Sequence, residues 1–401
     1  MSVKDVLQNK FDSMRIISTH SHHMQSEKFS GSFCLADILQ NSYAGWVNTG
    51  QGSERFSNDI GEFIEKIKHN TYFIWLERAL SEIYSLPLLR ECENMAVYDE
   101  AIKNAYHNPD FHIHLLKDIC RYDKIILDTY WNPGDNNGYP ELFTPTYRIN
   151  MFPLSYIAEV RDHNSNNCYA LYGDAQETSI DGHIEYMNAC IEKAMTENGC
   201  VALKLASAYE RGLDYVDATR KEASVVFEKA NPTENDINAF QSYVVNEACK
   251  TAAHLDIPLQ IHTGLGRLIK SNAINLRELI VQNPQTKFVL FHIGYPWMDD
   301  ICGMTHSMQN VYPDLCWLPL ISTHAAARVI NELLDVGCAD KLFWGCDTWT
   351  SEESYGALLA MRHALITALD LRINEGVCTV KEALELIENI MYRNAKMLYR
   401  I

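Results

Sequence analysis

The chain has no CxxC pair, no excess of positive charge and no long apolar run, and each absence closes off a class of protein. Its 12 cysteines are scattered without the spacing of a zinc ribbon or a disulfide framework, so reduced core thiols are the expectation. Lys and Arg number 34 against 52 Asp and Glu, a formal net charge of -18. Attraction to nucleic acid or to an anionic membrane surface needs clustered Lys and Arg and is not expected. An anionic small-molecule substrate stays compatible with this balance, because a few buried cations define a pocket against the global sign. No stretch reaches the ~20 apolar residues of a membrane span, and Met1 to Arg15 shows no apolar signal region. The cytoplasm is therefore the default expectation, and homo-oligomerisation is expected on base rates alone.

What is present is a βα rhythm. The 401 residues exceed the roughly 250 that a (β/α)8 barrel needs and leave room for a large insertion. Eight short apolar runs rich in β-branched or aromatic residues read as strands. They are Arg15 to His22, Lys124 to Thr129, Arg148 to Leu154, Val201 to Ala206, Pro258 to Thr263, Phe288 to Ile293, Leu315 to Ile321 and Leu342 to Asp347. Between them lie helix signals. Thr233 and Asp236 form a capping-box pattern ahead of Ile237, Phe240, Val244 and Ala248 at helical spacing, and Pro258 ends that pattern. Ile184, Met187, Ile191 and Ala194 line another helix face, which Gly199 closes.

The predicted fold is thus α/β, a (β/α)8 TIM barrel with a large helical insertion after the first strand. Ile60, Phe63, Ile64 and Ile67 repeat at helical spacing, as do Tyr72, Trp75, Leu76 and Leu80. The expected division is a barrel of residues 1-23 and 119-401, with residues 24-118 as a helical insertion at the C-terminal mouth, placed to act as a lid.

Histidines and one aspartate fall at strand ends. The twofold period of a strand puts His20 and His22 on one face, whereas His23 faces the other way. His262 and His292 end the fifth and sixth strands, and Asp347 ends the eighth, next to the first once the barrel closes. Any one of these has a bland structural role open to it, but a borderline metal wants three or four N and O donors converging from rigid elements. Lys204 interrupts the apolar fourth strand, and three readings stand side by side: an ion-paired lysine, a lysine carbamate bridging two metal ions, or a cationic contact for a substrate carboxylate.

This set resembles the amidohydrolase superfamily, whose pattern is HxH on strand one, Lys on strand four, His on strands five and six, and Asp on strand eight. The stretches VALKLASAYERGL from Val201, LQIHTGL from Leu259, FVLFHIGYPW from Phe288 and KLFWGCDTW from Lys341 are similar to the amidohydrolase 2 branch. That branch takes in TIM-barrel hydrolases, non-oxidative decarboxylases of aromatic acids and, more distantly, uronate isomerases. Ser18 stands where the family often carries Asp. The resemblance implies that His20, His22, His262 and Asp347 hold a divalent metal, Zn2+ first and Mn2+ as the alternative, in a site of one or two ions. It implies further that Asp347 takes a proton from the attacking water and that His292 binds a second ion or polarises the scissile carbonyl, with Lys204 at the same centre. Arg211 is the first candidate for a substrate carboxylate, followed by Arg148, Tyr295 and Trp297. The expected activity is metal-dependent hydrolysis of a C-N or ester bond in a small, carboxylate-bearing substrate. Uronate-type isomerisation and non-oxidative decarboxylation are the alternatives on the same ligands.

Overall fold

A computed structural model describes residues 1-29, 31-49, 60-337 and 339-401. Its strands are β1 (Ile16–Ser21), β2 (Tyr122–Leu127), β3 (Phe143–Pro145), β4 (Tyr147–Arg148), β5 (Leu203–Leu205), β6 (Pro258–Ile261), β7 (Lys287–Phe291) and β8 (Val311–Asp314). All pairings are parallel, in the orders β1-β2-β3 and β4-β5-β6-β7-β8. Two connections turn these sheets into one ring. Around Thr146 the chain hands over from one sheet to the other: Thr146 N–H donates to Leu127 O and Tyr147 N–H to Ala202 O. At the opposite side, segment 342-347 occupies the eighth barrel position, bridging Asp314 through Phe343. Thr19 N–H donates to Trp344 O at 3.1 Å and Asp347 N–H to His20 O at 3.0 Å, which closes a (β/α)8 barrel.

The closing contact demands glycine. A Cβ on Gly345 would lie 2.6 Å from His20 N and 2.9 Å from Thr19 Oγ1, closer than nonbonded atoms approach, so no other residue lets this segment lie beside β1.

The capping box at Thr233 and Asp236 starts the helix Glu234–His254, and Ser179 caps Ile180–Thr196. Each buries an apolar stripe on the barrel, Phe240, Val244 and Ala248 from the first and Met187, Ile191 and Ala194 from the second.

Two strands lie elsewhere than the apolar runs suggest. The third barrel position is filled by β3 and β4, ending at Arg148 where the run Arg148 to Leu154 begins. The seventh is Val311–Asp314, and Leu318–Ile321 within the expected strand is a short helix. In both places the true strand contains proline and polar residues, while the more apolar neighbour packs into the core as an irregular or helical turn.

Between β1 and β2 the chain forms the helices Leu35–Gln40, Ile60–Ile67, Thr71–Tyr84, Ala96–Ala105 and Phe111–His114. They share a core of their own that includes Phe63, Ile67, Phe73, Leu76, Leu80 and Tyr98. Helix Thr71–Tyr84 packs on Ser351–Asn374, where Glu352 accepts hydrogen bonds from Tyr84 Oη (2.7 Å) and Tyr106 Oη (3.0 Å). No described helix is long and apolar enough to cross a membrane.

Candidate metal centre and active site

At the C-terminal mouth of the barrel, three imidazole nitrogens converge on one carboxylate. Asp347 Oδ1 lies 3.3 Å from His22 Nε2 and 3.7 Å from His20 Nε2, and Asp347 Oδ2 lies 3.9 Å from His292 Nε2. Each imidazole is aimed by the strand end that carries it. His22 Nδ1 is 2.8 Å from Asp128 O, and His292 Nδ1 is 2.8 Å from Cys316 O. A carbonyl only accepts, so both Nδ1 atoms carry the proton and both Nε2 atoms present lone pairs toward the carboxylate. Lone pair facing lone pair is repulsive, and Asp347 Oδ1, although buried, has no hydrogen-bond donor among the described residues. A cation between them resolves both defects.

The electrostatics agree. Burial, with a further push from Lys204, holds His20 well below its ordinary 6.5. Burial lowers His22 as well, takes His292 down to about 4, and with the neighbouring His292 depresses His262 strongly. Imidazoles that stay neutral at pH 7 are the form a metal needs. The donor set, nitrogen-rich with one carboxylate, suits a borderline divalent ion. His292 and Asp347 also sit at φ of 65° and 57°, left-handed values that cost energy for residues other than glycine and cluster at functional sites.

His262 turns a different way. Its Nδ1 is 2.9 Å from His292 Nε2 and 3.3 Å from Tyr209 Oη, and its Nε2 is 2.5 Å from Leu265 O. It stands in the wall of the same cavity, and because Leu265 O only accepts, its Nε2 carries the proton and its Nδ1 turns a second lone pair toward His292 Nε2. Lys204, 1% exposed, places Nζ 3.2 Å from His20 Nε2 and 4.0 Å from the centre of the Phe291 ring. Burial brings it down to about 8, against the upward pull of Asp128. His23 points away, to His112 Nδ1 at 3.0 Å.

The cavity over these residues has a volume of about 260 Å3. Arg148 lines it, but its guanidinium is held by Asp128 through Nε at 3.1 Å and Nη2 at 2.5 Å and by Asn164 at 2.9 Å. Burial alone would raise Asp128; Arg148 and His22 outweigh it and hold the carboxylate low. Of the remaining substrate-contact candidates, Arg211 is not in this wall. Its Nη2 donates to Asn238 Oδ1 and Asp214 O, and its guanidinium lies over the Tyr215 ring. Tyr295 and Trp297, both half-buried, likewise lie outside the cavity lining. Nearness in sequence to a strand end did not bring these three into the lining of this cavity.

Several lining residues escaped the sequence reading. Beneath the lining, Asp128 follows β2 directly as Asp347 ends the last barrel segment, and with His20 and His22 it forms one group of close donor atoms; Cys316 with His292 and Asp347 forms another. A carboxylate at a strand end was the available signal for Asp128. Tyr43, Trp46, Tyr209 and Trp349 gave none, since only the folded chain brings loop aromatics together.

A family model described as Amidohydrolase matches residues 110–401. The chain belongs to the amidohydrolase family. Over 248 residues, 57% of its length, this amidohydrolase is 27% identical to the protein fluG of Emericella nidulans, of which the match covers 29%; the chain thus spans under a third of that relative. Among solved structures, a uronate isomerase from Thermotoga maritima superposes with a TM-score of 0.77 at 17% identity, covering 99% of this chain and 97% of that one. A glucuronate isomerase from Caulobacter crescentus gives 0.76 at 15% identity, covering 99% and 94%. A proposed metal-dependent hydrolase from Lactobacillus casei gives 0.70 at 16%, covering 98% and 97%. At such identities the likeness is one of fold, a TIM barrel over nearly the whole chain.

Proposed function

We propose that this amidohydrolase is a metal-dependent hydrolase cleaving a C-N or ester bond in a small carboxylate-bearing substrate. The observation that carries the reading is the approach of His22 Nε2 and His20 Nε2 to the unpartnered Asp347 Oδ1. His20, His22 and Asp347 would hold the ion, with His292 beside them and Zn2+ as the first choice. A bound divalent ion supplies Lewis acidity, which lowers the pKa of water and withdraws charge from a carbonyl.

The chain's own groups do the rest. Asp347 would take the proton that attacking water gives up and return it to the leaving nitrogen or oxygen. His262, whose Nδ1 lone pair lies 2.9 Å from His292 Nε2 and 3.3 Å from Tyr209 Oη, would add a further nitrogen to hold the ion. Lys204 and Arg148 set a positive potential against the carboxylate of the substrate. Aromatic walls from Tyr43, Tyr130, Tyr209 and Trp349 restrict water.

A second reading, isomerisation of a sugar acid, is favoured by one observation: the cavity carries hydrogen-bonding groups from Tyr130, His163, Asn164 and Tyr209, which suit a polyhydroxylated chain. A substrate panel separates the two. Metal-loaded protein is offered N-acyl amino acids, carboxylate esters, lactones and D-glucuronate. The hydrolase reading expects release of amine or acid, lost in Asp347→Asn; ketose formation without bond cleavage overturns it in favour of isomerisation.

A further inference from the structure

A second chamber, of about 520 Å3, adjoins the catalytic cavity and shares Trp46, Tyr130 and Trp349 with it. We propose that this outer chamber is a substrate subsite for a flat ring bearing an anionic group, so that the substrate is a two-part conjugate with its scissile bond in the inner cavity. The proposal rests on the hydrolase reading and gives its substrate class.

Four features point the same way. The shared wall reaches the metal centre directly, because Trp349 stacks on His22 with ring centres 5.4 Å apart and planes at 24°. An occupant of the outer chamber is therefore one ring away from the ligand set.

The walls are aromatic and their planes are crossed. Trp131 meets Tyr130 edge-on, with centres 4.8 Å apart at 83°, and Trp46 meets Trp349 at 5.2 Å and 45°. Faces and edges presented together suit a planar guest, which gains from offset and edge contacts alike. Trp131 Nε1 is shielded from solvent and finds no acceptor among the described residues. An indole N–H left so is uncommon and marks a donor still to be satisfied.

Lys28 supplies the charge. It lines the chamber, and no ion pair of its ammonium is found among the described residues. Among the described residues of that lining it is the one that carries a charge, a positive one that an anion fits. The amides of Gln25 and Asn41 line the same space; Asn41 Nδ2 gives one N–H to Asp37 O at 2.9 Å, which leaves its second N–H as a donor.

Size completes the argument. The inner cavity alone falls short of the roughly 300–1,000 Å3 of ordinary ligand sites, while the outer chamber lies within that range. A free sugar acid needs the inner space only; a conjugate needs both.

The test is equilibrium binding of 1-naphthalenesulfonate, a flat ring with one anion, to the full-length metal-loaded protein by isothermal titration calorimetry. One-to-one binding is expected, weakened about five-fold or more by Lys28→Gln and similarly by Trp131→Ala, with 2-naphthalenemethanol binding more weakly than the sulfonate. Lys270→Gln, remote from the chamber, should bind as the parent does. Lys28 is exposed, so its substitution tests the idea even where Trp131→Ala impairs folding. Absence of binding, or equal affinity in Lys28→Gln and the parent, overturns the proposal. Because no turnover is measured, this failure is distinguishable from failure of the hydrolase reading, which the substrate panel decides.

Discussion

Trp349 lies flat against His22, 5.4 Å between ring centres, while at its edge His22 Nδ1–H donates to the main-chain oxygen of Asp128. The imidazole is thereby fixed in plane and tautomer before any ion arrives. An aimed ligand loses little entropy on binding, so the metal should be held tightly and selectively.

Asp347→Asn removes the charge while keeping the shape. Metal content measured by mass spectrometry should fall from stoichiometric to a small fraction, and added Zn2+ should raise the melting temperature of the parent but not of the variant, since only binding to the native state stabilises it. Equal zinc-induced shifts in both would refute the ligand assignment.

The Asp128–Arg148 pair predicts a different pattern. Both side chains are buried, and Asp128→Asn leaves a guanidinium without its counter-charge, at a cost of about 3–5 kcal/mol. The double variant Asp128→Asn with Arg148→Met should regain much of that loss in urea unfolding at pH 7. Metal content should survive better than in Asp347→Asn, because His22 bonds the main chain of Asp128 and not its carboxylate. The pKa of Asp128 is lowered, so its stabilisation is present above about pH 3.9 and disappears as pH falls through the folded value. A double variant no more stable than the single one would contradict this account.

Glu353 works in the opposite sense. Burial raises it from 4.5 to about 8, although the N–H of Tyr43, 2.6 Å away, pulls it down. Between those values the folded chain holds a proton that the unfolded chain releases, so stability declines as pH rises from 4.5 through about 8. Glu353→Gln keeps an acceptor for Tyr43 and removes the titration. Its melting temperature should gain on that of the parent across this window, and parallel curves would show that Glu353 does not titrate there.

Much of the barrel was legible because βα periodicity is a local property. His20 and His22 share a face by the pleat, and Asp347 falls at a strand end beside them once the ring closes. The third and seventh strands were misplaced because hydrophobicity alone guided the choice. Phe143–Pro145 and Val311–Asp314 carry prolines, and the adjoining apolar runs bury themselves without pairing. The direction of a side chain beyond a strand end was not legible either. Arg211 swings to Asn238 on the helix that begins at Glu234, and the Nε2 of His262 is taken by Leu265 O three residues on. Asp128 carried the same strand-end signal as Asp347 and was overlooked beside the histidines.

The hydrogen bond from Ser21 Oγ to Thr348 O spans 327 residues of chain, and Gly345 is what lets those two strands touch. During synthesis both early histidines emerge long before the carboxylate that completes their site. Ion capture is accordingly a terminal event of folding: a nascent polypeptide halted before residue 342 should acquire none, and the cofactor certifies a finished ring.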